Sequence, residues 1–284
     1  MTAPTTSKTA GAPVVPPLEP KARFGDLVAA EWIKLWSLRS TPWAFAATVL
    51  LVLTITLFGA MSDAQHFAGF DDDQKAYYRA FGSVAATFSQ GAATMVIVGA
   101  GAIGAIAVLG EYTSGMIRTT FTAVPARSSV MAAKLAVVAV ATTVLGVATA
   151  LASYGAAQAV LSGQDAAVGL GHPGILRLLV ASAVLAPVSA LVGMGIAAVI
   201  RHSVLTIVAT IAVLFVIPSM LNSRSQFGAS LVHMTISQAW QRIGHEQATT
   251  EMWPWTVGGA CVVLAVWSLV AGALTVYTAS HRDQ

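Results

Sequence analysis

Charged residues are scarce in this chain of 284 residues: Asp, Glu, Lys and Arg make up only 10% of it, while 56% is hydrophobic. Soluble globular domains carry about 25% charged residues. A water-facing surface cannot be built from so few charges. The mean hydropathy of +0.74 likewise places the chain among integral membrane proteins.

Cysteine and metal-ligand patterns are also missing. Cys261 is the single cysteine, so an intramolecular disulfide is excluded. No grouping of His and Cys has zinc spacing, and we predict no metal site. The 15 Lys and Arg residues are scattered between apolar segments, which argues against a nucleic-acid partner and favours the lipid bilayer, with its anionic headgroups.

The lack of charge is concentrated in six stretches without Asp, Glu, Lys, Arg or His. They cover residues 43–61, 88–110, 135–160, 178–200, 203–221 and 255–279. As helices rising about 1.5 Å per residue, they are long enough to cross a hydrocarbon core about 30 Å thick. Because unpaired backbone amides are too costly in lipid and no stretch alternates like a barrel strand, we predict an all-α integral membrane protein with six transmembrane helices.

Three further segments flank this six-span domain of residues 43–279. Residues 1–20 contain five prolines and no apolar run, which predicts a disordered tail, and residues 280–284 form a second short tail. Residues 21–42 include FGDLVAAEWIKLWSL, whose apolar residues cover about half of a helical wheel and predict an amphipathic interfacial helix. Glu31 falls inside the apolar arc and needs a partner, either Lys34 one turn away, a neighbouring loop or a cytoplasmic protein.

The distribution of Lys and Arg predicts the orientation. Ten of the 15 lie in the N-terminal segment, the second loop, the fourth loop and the C-terminal tail. Because cytoplasmic loops carry the excess of Lys and Arg, both termini are predicted to be cytoplasmic. Only Arg201 and His202 separate the fourth and fifth spans; we expect a tight hairpin there, although a re-entrant segment would place the C-terminus outside.

Small and cyclic residues predict how the spans pack and bend. Small residues recur four apart at Gly101 and Ala105, Gly146 and Ala150, and Gly193 and Ala197. Such pairs allow close helix approach in lipid, although Gly and Ala are common throughout this chain. Pro187 and Pro218 are predicted to kink the fourth and fifth spans. The external loop 222–254 is long enough for two short amphipathic helices.

The loop after the second span has an ordered series of charged and turn-forming residues. Glu111 follows the span, and Gly115 permits a turn. Residues 116–121 are predicted to form a short helix, which Pro125 ends before a basic return that begins at Arg127. Composition alone also fits an ordinary positive-inside loop with snorkelling lysines.

This order resembles the type-2 ABC transporter permeases, especially the compact six-span bacterial members. The matching loop residues are Glu111, Gly115, Ile117, Arg118, Pro125, Arg127 and Lys134. The matching residues of the upstream EWIKLWSLRSTPW are Glu31, Lys34, Leu35, Arg39 and Pro42. The resemblance implies a coupling helix in the loop that docks on a cytoplasmic ABC ATP-binding subunit.

The resemblance also implies the assembly and the location. Two permease copies, identical or paralogous, would join two ATPases in a bacterial plasma membrane, and cargo would pass between the copies, most often outward. The sequence contains no G-x-x-x-x-G-K-[ST] motif, so we expect this chain to be non-enzymatic and to bind no cofactor, with ATP and Mg on the partner subunit.

Uncharged polar residues are the candidates for a cargo path. Gln90 and Thr94 share one face of the second span, and Thr206 and Thr210 share one face of the fifth. The resemblance places these two spans near the dimer axis. A mainly apolar lining suits a hydrophobic or amphiphilic cargo.

Two other classes of protein stay open. An intramembrane enzyme usually places ionisable residues inside its spans, whereas all six histidines of this chain fall outside the predicted ones. A non-transporting membrane anchor or sensor partner would need no ATPase, so copurification distinguishes it from a permease.

Overall fold

The computed structural model describes residues 23–67, 69–123, 126–245 and 252–282. Every regular element in these ranges is helical. The predicted tail 1–20, Pro125 and the side chains of Ile117 and Arg118 lie outside the described part of the chain.

The helices follow one another with short connections. They are α1 (Phe24–Ser37), α2 (Ser40–Phe67), α3 (Asp72–Tyr77), α4 (Ser83–Thr87), α5 (Gln90–Thr113), α6 (Met116–Ala123), α7 (Arg127–Leu161), α8 (Ile175–Ile200), α9 (Ser203–Ile211), α10 (Ile217–Met220), α11 (Gln226–His233), α12 (Ile236–Gly244) and α13 (Val257–Arg282). A π-helical turn, Tyr78–Gly82, joins α3 to α4, and a second, Ala212–Val216, joins α9 to α10.

Six helical segments of the described chain are long and apolar enough to cross a membrane. They are Ser40–Phe67, Asp72–Thr113, Arg127–Gln164, Ile175–Ile200, Ser203–Met220 and Val257–His281. The prediction of an all-α protein with six spans, preceded by an N-terminal helix, is confirmed.

Several helices extend past the charge-free stretches. The third begins at Arg127 instead of residue 135, and the first begins at Ser40, so residues 40–42 belong to α2 and not to the interfacial helix. The last continues to Arg282, into the predicted tail. Charge marks where a helix leaves hydrocarbon, not where its hydrogen bonds end, which explains the difference.

The fourth and fifth spans separate at Arg201 and His202. Arg201 adopts a left-handed conformation (φ 57°) and ends α8. The His202 ring accepts a hydrogen bond from the Leu205 amide at 3.4 Å and caps α9. Two residues therefore suffice to form the hairpin.

Helix α8 lies at the centre of the bundle and packs against α5, α7 and α13. Glycines permit this contact: a Cβ at Gly193 would overlap the Gly101 carbonyl of α5, and one at Gly146 of α7 would overlap the Ala183 carbonyl of α8. Close approach without side chains gives extensive van der Waals contact, which holds helices together in lipid. The three glycines singled out in the sequence, Gly101, Gly146 and Gly193, thus lie at helix crossings.

Two short helices, α11 and α12, occupy the loop 222–254, as expected from its pattern. Helix α12 packs against α8 and α13. Its Trp240 is fully buried and donates a hydrogen bond from Nε1 to Ser182 Oγ of α8 at 3.0 Å. Helix α12 is therefore fastened to the core of the bundle.

Candidate functional site

Four charged side chains from three helices form a closed ring of alternating charge, here called the ion ring. Lys34 Nζ lies 2.7 Å from Glu31 Oε1 and 3.0 Å from Glu111 Oε1. Lys134 Nζ lies 3.0 Å from Glu111 Oε1 and also pairs with Glu31 Oε2. Each residue of the ion ring therefore contacts two residues of opposite charge.

Helix geometry brings these residues together. Glu31 and Lys34 are one turn apart on α1, Glu111 lies near the end of α5, and Lys134 lies near the start of α7. Helix α1 packs along α7, which carries Glu31 to Lys134 across 103 residues of sequence. The partner that Glu31 requires is thus provided both by Lys34 and by a residue of the third span.

The ion ring is largely removed from solvent. The side chains of Glu31, Glu111 and Lys134 are only 3–5% exposed, and that of Lys34 is 24% exposed. A buried ion costs several kcal/mol unless it is paired and hydrogen-bonded. Because two carboxylates balance two ammonium groups, the four residues are stable together, and loss of any one leaves an excess buried charge.

The protonation of Lys34 follows from its partners. Burial lowers the pKa of its ammonium group, but the hydrogen bond to Glu31 and the charge of Glu111 outweigh burial and raise the pKa above its ordinary value of 10.5. Lys34 is therefore charged at neutral pH, as the ring requires.

The short helix α6 is attached to the ion ring. Lys34 Nζ donates a third hydrogen bond, to Thr120 Oγ1 of α6, at 3.4 Å. Gly115, in a left-handed conformation (φ 70°), turns the chain from α5 into α6. A Cβ at Gly115 would meet no atom within 4 Å, so its backbone angle and not a lack of space favours glycine there.

The structure describes the backbone positions of three other loop residues that match the family. Ile117 and Arg118 belong to α6, and Arg127 is the first residue of α7 and is half-buried. Arg39 is exposed in the turn between α1 and α2. It is the predicted interfacial residue that the structure does not bring to the ion ring.

Sequence reasoning missed a second junction beside the ring. The Arg201 guanidinium lies over the Tyr112 ring of α5, 4.9 Å from its centroid, and donates to the Thr278 carbonyl of α13 at 3.1 Å. The sequence predicts Arg201 only as a residue of the hairpin between the fourth and fifth spans. Arg201 therefore joins the C-terminal ends of α5, α8 and α13. Its partner on α5, Tyr112, is the sequence neighbour of Glu111.

The predicted path residues do not form one site within the chain. Thr206 and Thr210 are buried, and Thr210 packs beside Gly101 of α5. Gln90 is the first residue of α5 and is exposed. It lies about 16 Å from Gly101 along the helix. Thr94 is half-buried, and its hydroxyl donates to the Gln90 carbonyl at 2.8 Å. The two pairs therefore lie at different depths.

Gln90 instead lines a cavity of about 510 Å³ between α2, α5 and α12, here called the outer cavity after the predicted orientation of the chain. Its polar lining includes Asp63, Gln238, Gln241, Arg242 and His245. Burial lowers the pKa of His245, and the nearby Arg177 charge contributes in the same direction. No sequence pattern singles out Asp63 or Arg242, and the amphipathic pattern of the loop 222–254 is the one signal that points to α12.

Comparison with known proteins agrees with this architecture. The model of a family described as ABC-2 family transporter protein matches residues 27–219, more than half of the chain. The match extends from α1 into α10 and contains all four residues of the ion ring. A comparison with curated proteins finds no significant match. The chain therefore belongs to the ABC-2 transporter family and is a multi-pass permease component of a transport system.

Proposed function

We propose that this chain is the permease subunit of an ATP-driven exporter and that a separate cytoplasmic ATP-binding subunit docks on α6. The observation that carries the proposal is the ion ring together with its contact to Thr120. A helix of eight residues that follows α5 and is joined to the ion ring by the hydrogen bond from Lys34 to Thr120 is suited to transmit motion to the three longer helices. ATP and Mg are assigned to the partner subunit.

The route of transmission follows from the cost of separating buried charges. Moving α6 moves Thr120 and the end of α5, on which Glu111 lies. Because an ion that leaves the ring would remain buried without its partners, α1, α5 and α7 are expected to move as one group. Helix α5 then carries the motion across the membrane to the outer cavity, which its first residue, Gln90, lines.

The same proposal includes direction, cargo and assembly. Two copies of the chain, or this chain and a paralogue, form the translocation path in a bacterial plasma membrane, with both termini in the cytoplasm. Apolar spans with few uncharged polar groups support an amphiphilic or hydrophobic cargo. Outward transport agrees with the resemblance and with a polar cavity at the predicted external end of the spans.

The test combines the chain with its ATP-binding subunit in proteoliposomes. Arg118→Glu reverses a charge on α6 and is expected to separate ATP hydrolysis from transport while insertion stays normal. Arg224→Glu, at an exposed residue of the external loop, is the matched control and is expected to transport normally. Normal cargo-stimulated hydrolysis and normal transport by Arg118→Glu would remove α6 from the proposal. An inserted wild-type chain that copurifies with no ATP-binding subunit would favour the anchor or sensor class.

A further inference from the structure

The outer cavity contains two opposite charges that are held apart. Asp63 enters it from α2 and Arg242 from α12. Both side chains are half-buried. Within the described ranges, neither lies within 4.0 Å of an oppositely charged group. Charges near the membrane for which the described residues supply no opposite charge are functional-site candidates, since retaining them has an energetic cost.

Asp63 is fixed in position by one neighbour. The Tyr78 hydroxyl donates to its Oδ2 at 3.0 Å. The Tyr78 ring packs against Phe67 and Phe70, at centroid distances of 5.4 and 6.1 Å. Gly82 leaves room for this ring, because a Cβ there would overlap it. The carboxylate is thus held with its second oxygen available to a ligand.

Arg242 is fixed in the same manner. Its Nε donates to the Trp255 carbonyl at 2.7 Å. This contact leaves the two terminal nitrogens of the guanidinium, the pair of donors that matches a phosphate or carboxylate. Each charge is therefore oriented by one protein contact and keeps part of its hydrogen-bonding capacity.

Neutral polar groups complete the lining. The amide side chains of Gln90, Gln238 and Gln241 make no hydrogen bond to protein in the part of the chain that the structure describes. The volume of about 510 Å³ lies in the range of small-molecule sites, about 300–1,000 Å³. The cavity therefore fits a polar group of several atoms that carries both charges.

The surroundings indicate an amphiphile. Gly59 and Asp63 line the cavity, while their neighbours on α2, Phe58 and Met61, are exposed apolar residues. On a membrane-spanning helix such residues face lipid. A ligand whose headgroup occupies the cavity can therefore keep its chain in the adjacent lipid.

We propose that the outer cavity binds a zwitterionic aminoalkyl phosphate headgroup, with its ammonium at Asp63 and its phosphate at Arg242. The assignment of this ligand as the exported cargo rests on the proposed function; the binding site itself does not. A ligand with only one of the charges leaves either Asp63 or Arg242 unpaired, and so binds more weakly.

Calorimetric titration of the purified full chain in a maltoside detergent tests the site. The probes are dodecylphosphoethanolamine, dodecylamine, dodecyl phosphate and the soluble 2-aminoethyl phosphate. The zwitterionic amphiphile is expected to bind saturably and at least about tenfold more tightly than either singly charged probe, as loss of one charge-assisted hydrogen bond requires. Weaker binding of 2-aminoethyl phosphate assigns the site to a membrane lipid, and equal binding assigns it to a free zwitterion.

Conservative variants show whether these two residues form the site. Asp63→Asn and Arg242→Gln are each expected to weaken zwitterion binding at least about tenfold. The controls Asp73→Asn and Arg224→Gln, at exposed external positions, are expected to leave binding unchanged, and a thermal unfolding curve verifies that each variant is folded. Absence of saturable binding, equal binding of the singly charged probes, or unchanged binding by both cavity variants would overturn the proposal.

The titration contains no ATP-binding subunit, so its outcome is independent of energy coupling. A chain that binds the zwitterion but is not driven by an ATPase retains this site and contradicts the proposed function. A chain that transports with ATP but does not bind the zwitterion retains the function and contradicts this site.

Discussion

Lys34 Nζ lies 3.0 Å from Glu111 Oε1, although 77 residues separate the two in the chain. This contact fastens the interfacial helix α1 to the end of the second span. Lys134 closes the arrangement from the third span. The interfacial helix is thereby tied to the transmembrane bundle through buried charges.

Removing one charge from the ion ring is expected to destabilise the chain strongly. Lys134→Met keeps much of the side-chain volume but leaves Glu31 and Glu111 facing a single ammonium. Breaking a buried ion pair in this way costs about 3–5 kcal/mol. Thermal unfolding in detergent measures the loss, with Lys75→Met on the short helix α3 as the control, expected to change stability by about 0.5 kcal/mol or less.

The double variant Glu31→Gln with Lys134→Met separates charge imbalance from lost packing. It retains the neutral pair Lys34–Glu111, so it is expected to be more stable than Lys134→Met alone. A double-mutant cycle measures the coupling between the two sites. Strictly additive losses would show that Glu31 and Lys134 do not interact in the folded chain.

The contact between Lys34 and Thr120 should affect coupling more than stability. Thr120→Val preserves the shape of the side chain and removes one long hydrogen bond, at a cost of about 0.5–1.5 kcal/mol. Transport per ATP hydrolysed is expected to fall while the chain stays folded. Thr119→Val, next to it on α6 and exposed, serves as the control; equal effects of the two variants would contradict a specific role for Thr120.

The crossing of α5 and α8 depends on the absence of a side chain. Gly193→Ala places a methyl group against the Gly101 carbonyl and is expected to destabilise the chain by about 1–3 kcal/mol through overpacking. Gly155→Ala makes the same substitution in α7 where a Cβ meets nothing within 4 Å. It is expected to be neutral or to stabilise by up to about 1 kcal/mol. Similar unfolding temperatures for both variants would refute this packing.

Acid should weaken the attachment of α12. The pKa of His245 is lowered from 6.5 by burial, so its contribution to stability is complete above pH 6.5 and is lost as the pH falls through the lowered value. The His245 ring contacts Trp240 edge-on, with centroids 5.3 Å apart. The unfolding temperature is expected to drop between pH 7.5 and 5 in the wild type and to drop less in His245→Gln. Identical pH profiles would exclude His245 as the cause.

Composition was sufficient to predict the architecture, because a membrane leaves few alternatives. Six long stretches without charge can only be helices in lipid, and the described residues form six helical segments long and apolar enough to cross a membrane. A hairpin at Arg201 is expected because one continuous helix over both spans would be far longer than a hydrocarbon core of about 30 Å. The ends of α7 and α13 could not be predicted in this way, since helical hydrogen bonding continues past the last apolar residue.

The site was only partly readable from sequence. The spacing of Glu31 and Lys34 predicts their contact, because residues three apart share a helix face. Their pairing with Glu111 and Lys134 depends on how α1 packs on α7, which no local pattern encodes. The outer cavity was missed for the same reason: Asp63 lies on α2 and Arg242 on α12, and only the packing of α12 brings both to one cavity.

The most direct test of the account is the number of cargo molecules moved per ATP hydrolysed by Glu111→Gln. The measurement uses proteoliposomes that contain the chain with its ATP-binding subunit, normalised to the amount of assembled complex. Because the substitution opens the ion ring where α5 continues toward α6, the ratio is expected to fall at least about tenfold while hydrolysis continues. A tenfold fall corresponds to a coupling free energy of about 1.4 kcal/mol. An unchanged ratio in the correctly inserted and assembled variant would contradict the claim that the ion ring carries the motion.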